Sequence, residues 1–124
     1  AEIVKQSGAG LLLDINNVVV NAHNHGFCAD DWLARIPAHL IGEIHLAGHE
    51  VKHIDGTELR IDDHGSAVTN EVWGHYADLI ARTGPLPTLI EWDTALPDWQ
   101  TLRAEAQKAA RIMSAEQVLG RAHA

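Results

Sequence analysis

Three short apolar runs, each with a polar residue towards its C-terminal end, constrain this chain more than any other feature: GLLLD at Gly10–Asp14, GEIHLA at Gly42–Ala47 and TLIEW at Thr88–Trp92. Apolar runs of about five residues without strict alternation fit strands buried within a parallel sheet. Parallel strands cannot be joined by tight turns and need crossover connections, which are usually helical.

Helical patterns fill the gaps. Asp30 or Asp31 is placed to cap a short helix that stops before Pro37. Thr69 is placed to cap a longer one, in which Val72, Trp73, Tyr76, Leu79 and Ile80 share a stripe and which Gly84-Pro85 ends. A last helix starts near Asp98, after Pro97, with Leu102, Ala106, Ala109 and Met113 on one side. The opening residues, AEIVKQSGAG, read as the tail of a helix closed by Gly8. The order β, α, β, α, β, α predicts an α/β fold with right-handed crossovers. One stretch breaks that rhythm: VKHIDGTELRI, Val51–Ile61, carries Asp55-Gly56 between two alternating arms, the signal of a type I′ β-hairpin. Long insertions after a strand of an α/β unit generally serve function.

With 124 residues, 46% of them hydrophobic, the chain can bury one modest core. Its net charge of −8, with no basic cluster, argues against nucleic acid or an anionic membrane as partner. A single cysteine, Cys28, excludes an internal disulfide and fits a reducing, cytoplasmic setting; it reads as a small loop residue. Without paired cysteines there is no structural zinc knuckle. Ser7, Ser66 and Ser114 lie in no G-x-S-x-G elbow, and Gly8 and Gly10 precede a strand where a phosphate loop would precede a helix. No apolar run approaches the roughly 20 residues that cross a bilayer.

Chemistry in α/β sheets gathers at the C-terminal ends of the strands. The first strand ends in Asp14, followed by Asn16 and Asn17; the second carries Glu43 and His45, then His49 and His53; the third ends in Glu91, followed by Asp93. The hairpin leads into IDDHG, where Asp62 and His64, two apart, project to one side if the segment is extended. Such a mixed oxygen and nitrogen set suits a divalent ion such as iron, manganese or zinc. Each signal has a plainer reading. Asp14 to Asn17 can form a turn by bonding their own backbone, His45 can be a core histidine on a carbonyl, and Asp62 with His64 can be a surface pair. His23, His25, His39, His75 and His123 read as loop or helix-surface residues.

LLLDINNVVVNAHNHGF, GEIHLAGH, IDDHG with its following Val-Trp helix, and PTLIEWD, in that order, resemble the C-terminal part of a bacterial family, the multinuclear non-haem iron-dependent oxidative enzymes. That family was long a domain of unknown function and includes the methanobactin biosynthesis oxidase. The resemblance covers roughly Ile3 to Ala110 and departs from the family pattern at Val19 and Asp63. It implies a xylose-isomerase-like TIM barrel holding two or three iron ions, with Asp14, Asn17, His45, Asp62, His64 and Glu91 as metal ligands. Asn16, Glu43, His49 and Asp93 fall around those ligands or on the path of substrate. It further implies dioxygen-dependent remodelling of a residue in a ribosomally made precursor peptide, presented by a partner protein.

A complete barrel of this type needs about 250 residues. The expectation is therefore a C-terminal part of a TIM barrel, about three βα units with an inserted hairpin, over residues 1–113, followed by a tail at 114–124. Such a piece, cut from something larger, is expected to be inactive alone and to pair with a second copy or with the missing half. Two other readings stand beside the iron enzyme. One is a zinc or manganese isomerase or hydrolase on the same barrel; the other is a non-enzymatic metal-binding or interaction module, in which the ligands would not converge.

Overall fold

The computed structural model describes residues 2–122, with side chains described through residue 115. The element order is α1 (Glu2–Ser7), β1 (Leu11–Asp14), α2 (Ile15–His25), α3 (Ala29–Ala34), a 3-10 turn (Ala38–Leu40), β2 (Ile41–Leu46), β3 (Glu50–Ile54), β4 (Thr57–Ile61), α4 (Asn70–Thr83), β5 (Thr88–Ile90) and α5 (Trp99–Ala122). Strands β1, β2 and β5 form a parallel sheet in that spatial order, while β3 and β4 form a separate antiparallel pair. This mixed α/β architecture is compatible with a segment of a TIM-type barrel.

The three expected strands are present, with β5 stopping at Ile90 so that Glu91 and Trp92 follow it. Two helix expectations need correction. The stretch after Asp14, where no helix was expected and a turn was the plainer reading, is the 11-residue helix α2. Its Val18–Val20 run disguises it, because β-branched residues favour strands; the preference is worth only tenths of a kcal/mol and yields to core burial. Asp14 supplies the cap, its Oδ1 accepting from the Asn17 amide at 2.8 Å, and Gly26 closes the helix with φ 71°. In α3 the capping position belongs to Cys28, and Asp30 and Asp31 sit in the first turn, where they face the positive end of the helix. Thr69 caps α4 as expected, and Asp98 receives the Thr101 amide at the start of α5. The α5 backbone continues to Ala122, past residue 113; the last two residues of the expected tail lie outside the described residues.

One face of the parallel sheet carries the core. Leu13, Ile44 and Leu46 pack there against Ile15 and Val19 of α2 and Val72, Tyr76 and Ile80 of α4, all nearly inaccessible to water. The other face is open: Leu12 and Leu89 are 50% and 45% exposed. A register shift between Leu11 and Leu12 governs which residues reach that open face. Leu11 pairs with Ile41, but Leu12 pairs with Glu43 and Asp14 with His45. Paired residues of neighbouring strands point to the same side, so the extra residue on β2 brings His45 beside Asp14; an unbroken register would put Ile44 there and turn His45 to the core.

The β3–β4 hairpin turns at Asp55 and Gly56, whose φ values of 50° and 79° give the expected type I′ geometry. Asn24 of α2 anchors it. Its Nδ2 donates to the Arg60 carbonyl at 2.8 Å and its Oδ1 accepts from the Arg60 amide at 2.9 Å, so one carboxamide acts as a short strand partner on the edge of β4.

Candidate metal centre

The register places Asp14 and His45 side by side at the C-terminal end of the sheet. Glu91 continues the pairing beyond β5, its amide donating to the Leu46 carbonyl at 2.9 Å, and its carboxylate joins the same face. Glu91 Oε1 lies 3.0 Å from His45 Nδ1, and Glu91 Oε2 lies 3.2 Å from His64 Nδ1. On the far side of the second ring, His64 Nε2 is 3.1 Å from Asp62 Oδ1 and 3.6 Å from Asp14 Oδ2. One ligand atom from each of Asp14, His64 and Glu91 lies within 4.8 Å of the others. Glu43 completes the row, its Oε1 3.4 Å from His45 Nε2, and Asp93 approaches His64 Nδ1 at 3.4 Å from a largely exposed position.

His64 reaches this centre through a left-handed backbone, φ 48°. Its convergence with Asp62 therefore comes from a turn and not from the alternation of an extended segment, which corrects the reason given by the sequence. Left-handed residues other than glycine are strained and concentrate at functional sites. Asp93 holds the turn, its amide donating to the His64 carbonyl at 2.8 Å. Of the two adjacent aspartates, Asp62 faces the cluster, while Asp63 turns toward Gly65 and Thr94.

Asp62 is gripped by both asparagines of the α2 first turn. Asn17 Nδ2 donates to Asp62 Oδ2 at 2.9 Å, and Asn16 Nδ2 donates to Asp62 Oδ1. Asn17 thus links two carboxylates, donating to Asp62 with its side chain and to Asp14 with its backbone amide. Asn16 is fully buried and His49 nearly so; His49 Nδ1 meets Asn16 Oδ1 at 2.9 Å.

Burial pushes the Asp14 carboxyl above its ordinary value; the Asn17 amide opposes the shift, and the carboxylates of Asp62 and Glu91 add to it. Burial also lowers the His49 imidazole, reinforced by Arg60. Among the described residues no lysine or arginine pairs with Asp14, Asp62 or Glu91, since Arg60 and Lys52 are engaged by Glu58, Glu71 and Glu50. Both rings, His45 and His64, have carboxylate oxygens beside both nitrogens. A concentration of acceptors with no fixed cation, built from carboxylates and imidazoles, fits a divalent transition metal.

Other sequence candidates stay outside. His53 and His23 flank Glu58 on the hairpin at 3.7 Å and 3.3 Å, and His75 pairs with Asp30 at 2.8 Å between α3 and α4. His123 lies outside the described residues. What the sequence undervalued is Asn16 and His49: nothing in DINN or AGH distinguishes a buried hydrogen-bonded pair from loop residues.

A family model described as "RiPP precursor modification enzyme MbnB/TglH/ChrH" matches residues 1–114. A UPF0276 protein of Paraburkholderia phytofirmans is 52% identical over 117 residues, covering 94% of this chain and 38% of that protein. Another, of Rhizobium meliloti, is 52% identical over 112 residues, 90% of this chain and 36% of the relative; one of Caulobacter vibrioides is 48% identical over 115 residues, 93% and 41% respectively. The chain thus spans about two-fifths of the length of the curated relatives it matches.

Proposed function

Because the chain belongs to the MbnB/TglH/ChrH family of RiPP precursor modification enzymes, we propose that it contributes the C-terminal wall of an iron-dependent oxidative enzyme acting on a ribosomally made peptide. The observation that carries this reading is the convergence of Asp14, His64 and Glu91 on one face of a parallel sheet, at its C-terminal end. The open face, with Leu12 and Leu89 behind the polar cluster, supports an inner barrel wall that the rest of a (β/α)8 barrel would cover.

Asp14, His45, Asp62, His64 and Glu91 would hold the metal, with Asn17 either as a further ligand or as the donor that aims Asp14 and Asp62. Iron bound by such a set supplies redox chemistry toward dioxygen. The chain's own residues do the rest. The carboxylates set the charge of the centre, the amides of α2 fix their orientation, and Asp93 and Glu43 stand at its rim, where a peptide would approach. A peptide-presenting partner protein and a cytoplasmic setting complete the proposal.

Metal analysis of the full-length protein, wild type against Glu91→Gln and His64→Ala, tests it. Iron in the wild type, its loss in both variants, and a dioxygen-dependent mass change in a precursor peptide are the expected results. Zinc or manganese with oxygen-independent turnover would replace the oxidative reading by an isomerase or hydrolase. Metal content unchanged by both substitutions would overturn the site itself.

A further inference from the structure

The fully buried Asn16 has no apolar reason to be where it is. It occupies the first turn of α2 between Asp14 and the core residues Val18 and Val19, where an amide buried without partners would cost several kcal/mol. Every polar atom of its carboxamide is used. Oδ1 faces His49 Nδ1 at 2.9 Å, and Nδ2 donates both to the Gly48 carbonyl at 3.2 Å and to Asp62 Oδ1. Since Oδ1 can only accept, His49 must carry its proton on Nδ1 to make this bond.

The loop that carries His49 is itself locked. A Cβ at Gly48 would overlap Ser66 and the carbonyl of Ala67, so only glycine allows this close approach, and Ser66 Oγ donates to the His49 carbonyl at 3.4 Å. Three segments therefore meet at one carboxamide: the start of α2, the loop after β2, and the exit of the hairpin at Asp62.

We propose that His49 and Asn16 form a positioning clamp for Asp62, with His49 setting the amide orientation of Asn16 and Asn16 setting the carboxylate of Asp62 toward the metal. Neither residue touches the metal; both act through Asp62. The clamp also gives the inserted hairpin a role, because Asp62 directly follows β4 and the clamp fixes where that strand delivers it. It rests on the metal-centre reading above.

Cobalt(II) titration of the full-length protein, followed by its visible absorption spectrum, tests the clamp without relying on turnover. Outer partners of metal ligands typically contribute about 10- to 100-fold to metal affinity. His49→Leu is expected to weaken cobalt binding by about that factor and to alter the spectrum. His49→Asn, which retains an N–H donor near the Nδ1 position, is expected to restore both. In an Asp62→Ala background His49→Leu should have no further effect, because the residue through which it acts is gone. If His49→Leu does not fold, the same cycle is run with Asn16→Asp, which keeps side-chain volume and the acceptor for His49 but removes the donor to Asp62.

Wild-type affinity and spectrum in His49→Leu, or in Asn16→Asp where that variant is the one used, would overturn the clamp while leaving the metal centre standing. Effects that add fully to that of Asp62→Ala would overturn it too. A wild-type protein that binds no cobalt would overturn the metal reading and the clamp together.

Discussion

The two faces of the parallel sheet are made by the same strands and are chemically opposite. On the covered face Leu13, Ile44 and Leu46 are sealed by α2 and α4; on the other, one residue away along each strand, stand Asp14, Glu43, His45 and Glu91. The period of two in an extended chain lets stability and chemistry be written into one strand without competing for positions. The carboxylates of the polar face crowd one another, and burial already raises Asp14.

The contrast can be broken most forcefully from the covered side. Ile44→Ala removes a side chain with 0% exposure and is expected to cost about 2–4 kcal/mol in chemical denaturation of the full-length protein. A loss below about 1 kcal/mol would mean that this face is not the core. Leu89→Ala, on the open face, sharpens the comparison. If the rest of the barrel covers this wall, about 1–2 kcal/mol should be lost in the full-length protein, and close to nothing if the face stays in water.

Asp14→Asn should reverse the sign. It keeps the cap on α2 but removes one of the crowded charges, so the metal-free protein is expected to gain about 0.5 kcal/mol while losing the stabilisation that added metal confers. The pH dependence follows. With its folded value raised above 3.8, the Asp14 contribution to metal-free stability is complete below 3.8 and is lost as pH rises through the folded value. Urea midpoints in the presence of a chelator should show that slope in the wild type and not in Asp14→Asn.

The smallest expected effect belongs to His49. Its folded value lies below 6.5, so its contribution is present above 6.5 and is lost as pH falls through the lower folded value. Wild type should lose a few tenths of a kcal/mol more than His49→Asn between neutral and mildly acidic solution.

The strands, α4, α5 and the hairpin were legible because each depends on local signals: apolar runs, a capping threonine, an Asp-Gly turn. Helix α2 was not, because three consecutive valines imitate a strand and its cap is a residue whose other oxygen faces His64 in the polar cluster. Within the site, Asp62 and His64 were legible as a pair, although the backbone that joins them is a left-handed turn. The adjacency of Asp14 and His45 depends on inter-strand register, which no window of one strand contains. Asn16 was hidden for a different reason: a buried carboxamide is recognisable only from its three partners, which lie 32 to 46 residues away.

The register shift beside Leu12 imposes a parity on this part of the chain. Losing or gaining one residue between Ile41 and His45 would exchange the two faces of β2, burying the imidazole and exposing Ile44, and the same change between Leu11 and Asp14 would exchange Leu13 and Asp14 on β1. Changes of two residues preserve the facing and alter only the reach. Length variation among relatives in these two stretches should therefore come in even steps, or as matched single steps in both strands.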